Sequence, residues 1–100
     1  MSVVAGAWNV TVHTYMGDQS AVHTLEVNDG VLTGTVKDNG NGNVAEIYDG
    51  VVDGNKVSYK FTIKIPIGEM EFTINGEVVD GKYAGTSSNA MGSFDFEGTK

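Results

Sequence analysis

The chain has no cysteine and no arginine, and only one proline and one tryptophan among 100 residues. Without cysteine there is no disulfide framework, no thiolate nucleophile and no thiolate metal site. Without arginine there is no guanidinium fork, the usual bidentate grip on carboxylate or phosphate. Six lysines against 13 acidic residues leave a formal charge of −7. That balance speaks against nucleic acid, which needs a basic surface. It makes a neutral or weakly polar small molecule a better partner than a nucleotide or polyanion. No run approaches the ~20 apolar residues of a membrane span. The opening MSVVAGAW has neither the basic region nor the apolar stretch of a signal peptide. The expectation is a cytoplasmic protein with no membrane partner. A chain of this length forms one domain, 1–100, burying roughly 60–70% of its unfolded surface around one core.

What the chain has in quantity is glycine, 14 residues of it. Asp29-Gly30, Asp53-Gly54 and Asp80-Gly81 are hairpin signals, because such turns need positive φ. Asn39-Gly40, Asn41-Gly42 and Asn75-Gly76 are further candidates. Between them lies a second set, the X-Gly pairs ending at Gly17, Gly68 and Gly92. No segment keeps a helical apolar stripe. From Lys56 to Ile65 the residues Val57, Tyr59, Phe61 and Ile63 alternate with Ser58, Lys60, Thr62 and Lys64. That is a strand with one dry and one wet face. Aligning the glycines superimposes the flanking strands, so the chain repeats one hairpin. The expected strands are 6–15, 20–28, 31–37, 44–52, 56–66, 69–79, 82–89 and 93–99. Such a chain must cover its dry face, and eight strands do so by closing. The predicted fold is an all-β, up-and-down antiparallel barrel, with a two-sheet sandwich as the alternative.

Gly6-Ala7-Trp8 opens the first strand, and Leu32-Thr33-Gly34-Thr35 sits on the third. In these pieces the chain resembles the calycin-like barrels: avidins, lipocalins and fatty-acid-binding proteins. The resemblance implies a Trp-closed barrel end. Two departures limit it. Avidin-type biotin pockets use several tryptophans, and lipocalins carry a late arginine over the first one. Biotin binding and an extracellular lipocalin role therefore do not carry over.

The alternation points Ile47, Asp49 and Val51 inward, together with His23, Tyr59 and Tyr83. A carboxylate or imidazole in an apolar lumen is costly unless paired, and such groups mark candidate sites. His23 as general base or acid, Asp49 as its partner, and Tyr59 or Tyr83 as hydrogen-bond donor would form a catalytic set. The alternative is a satisfied core histidine and tyrosines, with Asp49 as an Asp-Gly turn residue. Leu25, Phe61, Phe72 and Phe94 would line a ligand space. Thr14, Ser87 and Asn89 approach its Met-Gly end, where Met16 and Met70 would form an adaptable mouth or a cap. Trp8 would plug the barrel end or offer a ligand platform. His13 should face outward, no metal-ligand spacing is present, and residues 38–43 read as a long turn. The expected function is enclosure of a small hydrophobic or aromatic molecule. The alternatives are a cofactor-free isomerase, cyclase or lyase, and a filled structural barrel. Val22, Val31 and Val52, read as outward, could support a homodimer.

Overall fold

The computed structural model describes residues 4–14, 17–40, 42–65, 68–90 and 92–100. Among them there is no helix. The strands are β1 (Gly6–Thr14), β2 (Gly17–Asn28), β3 (Val31–Asp38), β4 (Val44–Glu46), β5 (Tyr48–Asp53), β6 (Lys56–Ile65), β7 (Gly68–Val79), β8 (Lys82–Asn89) and β9 (Gly92–Thr99). All pairings are antiparallel, every strand pairs with its sequence neighbours except that β4 and β5 both pair with β3 rather than with each other, and β1 also pairs with β9. The β2–β3 pairing closes the sheet on itself. The result is an up-and-down barrel of eight positions, with β4 and β5 sharing the fourth between β3 and β6.

The hairpin repeat has a backbone cause. Gly17, Gly68 and Gly92 have φ of 110°, 143° and 131°, a region essentially closed to residues with a Cβ. Each begins the strand that leaves the turn. At the other end Asp29 and Asp80 (φ 52° and 51°) precede Gly30 and Gly81 (φ 78° and 77°). Both central residues are left-handed, the type I′ requirement. The β5–β6 hairpin differs from the Asp-Gly expectation. Asp53 pairs with Lys56, so Gly54 and Asn55 form the turn. Asn75-Gly76 is likewise not a turn but lies inside β7.

The expected strand 44–52 is broken. Register shifts between Tyr48 and Val51, and Asp49 has φ 53°. This is a β-bulge, and an extra residue inverts every side chain beyond it. Val51 is consequently 60% exposed, while Val52, expected outside, packs against the core. Gly50 allows the bulge, since a Cβ there would sit 2.3 Å from the Leu32 carbonyl oxygen.

The barrel has two unlike ends. The chain termini and the turns at 29–30, 54–55 and 80–81 form one, here the terminal end. Gly17, Gly68, Gly92 and the 38–43 loop form the other, the tip end. Toward the terminal end the inner-face residues Trp8, Leu25, Leu32, Val57, Tyr59, Val78 and Tyr83 are buried, and Val27 and Val52 pack half-buried against them. Large rings fit there because glycines face them. A Cβ on Gly76 would come within 2.2 Å of the Tyr83 ring, so β7 surrenders a side chain to make room.

Candidate functional site

Three polar side chains meet in the closed half. The Tyr59 hydroxyl lies 2.6 Å from His23 Nδ1 and 2.8 Å from the Tyr83 hydroxyl. Tyr83 has no other hydrogen-bond partner among the described residues, so its buried hydroxyl hydrogen is satisfied only when it points to Tyr59, an arrangement that leaves the Nε2 hydrogen of His23 without a partner among them. Tyr83 donates to Tyr59, and Tyr59 donates to Nδ1. His23 is then neutral with its hydrogen on Nε2. Burial pushes the His23 imidazole down to about 4, because desolvation disfavours the charged form. Burial likewise raises Tyr59, helped by its contact with Tyr83, and raises Tyr83. The rings pack closely: His23 meets Phe61 edge-on at 5.9 Å, and Phe61 stacks on Phe72 at 5.0 Å.

The terminal end is sealed. Trp8 Nε1–H donates to the Val4 carbonyl at 2.9 Å, and the indole ring lies 5.5 Å from Tyr83. The Lys100 ammonium sits 4.7 Å over the Trp8 ring and donates to the Ala5 carbonyl at 2.6 Å. A cation therefore covers the first tryptophan although the chain has no arginine. The sequence carried no signal for Val4 or Lys100 as parts of this seal, since both lie outside the alternating strands.

The tip end is built differently. Val12, Thr14, Ala21, Ala45, Ile63, Met70, Phe72, Asn89 and Phe94 are inner-face residues, yet all are only half-buried. Together they make up the tip end of the inner face, here called the cup, and most of them are apolar. Phe61 and the buried Ser87 lie beneath it, where Val10, Val36, Ile74 and Phe96 close the floor. The structure thus divides the expected ligand-lining residues. Thr14, Met70, Phe72, Asn89 and Phe94 border the cup. Phe61 and Ser87 belong to its floor, and Trp8 and Leu25 to the sealed half. Met16 lies outside the described residues.

Asp49 requires correction. The bulge turns it to the outside, where it is exposed, and His23 is bonded to Tyr59 instead. The shift of His23 comes from burial, not from a carboxylate. Its direction is opposite to what an acidic partner would produce. The polar set is therefore His23, Tyr59 and Tyr83, with no carboxylate among them.

Outside the lumen, His13 lies between Asp18 (Nδ1–Oδ1 3.0 Å) and Glu97 (Nε2–Oε1 3.2 Å). Two acceptors on opposite ring edges call for the imidazolium form, and the hydrogen bond to Asp18, then that to Glu97, raise its pKa. Tyr48 bonds Thr62 and Glu71 across the outer face, both at 2.8 Å. Beside it a cleft of about 380 Å³ separates β4 from β6, lined by Ala45, Tyr48, Thr62 and Ile63 among others. A shallower groove of about 560 Å³ crosses the outside of β5–β8, over the Gly76–Gly85 pair. Neither holds the polar set. Near the expected long turn, Asp38 N–H donates to the Asn43 carbonyl (2.9 Å) and Gly42 N–H to the Asp38 carbonyl (2.8 Å), and Gly40 N–H bonds the Asp38 carboxylate. No group of three or more metal-ligating side chains occurs among the described residues, and no helix is long and apolar enough to cross a membrane.

Comparison with family models, curated proteins and solved structures gives no match to this chain, so its relation to known proteins rests on the architecture alone, an eight-position closed antiparallel barrel.

Proposed function

We propose that this barrel binds a small hydrophobic or aromatic molecule in the cup at its tip end, in the manner of a calycin-like carrier. One observation carries the reading. The inner face is buried at most positions toward the termini and only half-buried at most positions toward the tips. A barrel that served only as a filled scaffold would have no reason to leave Phe72, Phe94, Met70 and Ile63 in contact with water. Burying such surface is worth about 25 cal/mol per Å². A concave, mainly apolar wall with a few polar groups is the usual form of a small-molecule site. The absence of arginine and the net charge of −7 favour a neutral ligand.

The enzymatic alternative draws on the meeting of His23, Tyr59 and Tyr83. Their proton affinities argue against it. An imidazole held down to about 4 is a weak base at neutral pH, and tyrosines held above their ordinary values are weak acids. General acid–base work favours groups poised near the working pH. The set suits a fixed hydrogen bond better than a moving proton.

The test is titration with the neutral fluorophore N-phenyl-1-naphthylamine. One saturable site with blue-shifted emission is expected. Phe72→Ser, which removes a ring from the wall, should weaken it about fivefold or more. Absence of saturable binding, or indifference to Phe72→Ser, overturns the reading.

A further inference from the structure

The cup has a polar anchor. No fully buried side-chain nitrogen or oxygen among the described residues lacks a hydrogen-bond partner. His23 is bonded there only through Nδ1. Its Nε2 edge therefore borders space that a water molecule reaches, although the residue as a whole is 2% exposed. The inner face of β2 continues from His23 toward the tips. The next inner residue toward the tips is Ala21, a small side chain that pairs with Val10 on β1 and Asp38 on β3. It is half-buried, whereas Val10, with which it pairs, and Val36 are buried. Val12 and Ala45, also half-buried, continue this lightly filled side of the cup.

The two tyrosines decide what the edge offers. Tyr83 donates to Tyr59 and Tyr59 donates to Nδ1, which leaves Nδ1 no hydrogen and fixes one on Nε2. The free edge is a neutral donor. It cannot accept a hydrogen bond from a ligand alcohol or amine, and it brings no charge to match a carboxylate.

We propose that His23 Nε2–H is the specificity-determining contact of the cup, selecting neutral ligands that carry a carbonyl or similar acceptor at one end of an apolar body. This rests on the cup being a ligand site. The tyrosine pair acts as a positioning device: it holds the ring and its tautomer without touching the ligand.

The experiment compares 2-acetylnaphthalene with 2-ethylnaphthalene, which share a skeleton and differ in the carbonyl, together with 2-naphthoate. Affinities are measured by displacement of N-phenyl-1-naphthylamine. One neutral hydrogen bond gives the ketone an expected two- to tenfold advantage over the hydrocarbon, with the carboxylate weakest. In Tyr59→Phe the ketone's advantage should fall toward unity while the hydrocarbon's affinity is kept, because Nδ1 loses its donor and the tautomer is released. Independently, ¹⁵N NMR of His23 in the free wild-type protein should find the hydrogen on Nε2, a readout that stands even if Tyr59→Phe fails to fold. Equal affinity for ketone and hydrocarbon overturns the inference and leaves the cup intact, as does a hydrogen found on Nδ1. Failure of both naphthalenes to bind removes the cup reading and this inference with it.

Discussion

The two ends of the barrel are made by one repeated hairpin and are buried to different degrees. Toward the termini, Trp8, Tyr59, Tyr83 and Leu25 are at most 1% exposed, and glycines opposite the rings give them room. Toward the tips the same inner face carries Val12, Ala21, Ile63, Met70 and Phe72, and all are half-buried. The difference is one of filling. The Tyr83 ring meets Gly76 in the half toward the termini, and the inner side chains toward the tips keep more of their surface exposed. Under the proposed function, stability resides chiefly in one half and recognition in the other.

Substitution should expose that division. Trp8→Ala, which empties the sealed end, is expected to cost about 3–5 kcal/mol in urea unfolding. Phe72→Ala in the cup wall is expected to cost clearly less, since its ring is already half in water. Equal losses would break the comparison. The next largest effect is on pH dependence. His23 has a folded-state value of about 4 against 6.5, so between those limits the unfolded chain binds more protons and stability rises with pH. The contribution, of order 3 kcal/mol, is present in full above pH 6.5 and lost as pH falls toward 4. His23→Gln should flatten that limb of the curve. His13 has the opposite sign: its raised value gives stability present below 6.5 and lost as pH climbs through the folded value. The smallest effect expected is that of Lys100→Met, about 1 kcal/mol or less from the ammonium over Trp8. Its ligand affinity should match wild type, because the seal lies at the far end from the cup.

The sequence displayed the architecture because its signals were local. Alternation across Lys56–Ile65, the type I′ pairs at Asp29 and Asp80, and the glycines at 17, 68 and 92 each act over a few residues. They led to the barrel and placed His23, Tyr59 and Tyr83 correctly on the inner face. Asp49 misled because alternation assumes an unbroken strand. One bulged residue inverted Asp49, Val51 and Val52 together, and only the approach of Gly50 to the Leu32 backbone reveals why. Asn75-Gly76 misled for a related reason: its glycine answers the Tyr83 ring on the next strand, a contact invisible to a turn pattern. The His13–Asp18–Glu97 bridge and the Lys100–Trp8 contact join residues far apart in the chain, and strand periodicity is silent about such pairs. That the inner face is more deeply buried at one end than at the other is a property of summed side-chain volumes, level by level. It emerges only when the registers are known.

The most direct test of this division is NMR mapping of the neutral probe. On saturation with N-phenyl-1-naphthylamine, the account predicts shift changes concentrated at Val12, Ala21, Ile63, Met70, Phe72 and Phe94, with Trp8, Leu32 and Val78 unmoved. Changes concentrated instead at the outer groove around Val51, Lys56 and Ala84, or at the Trp8 seal, would contradict it.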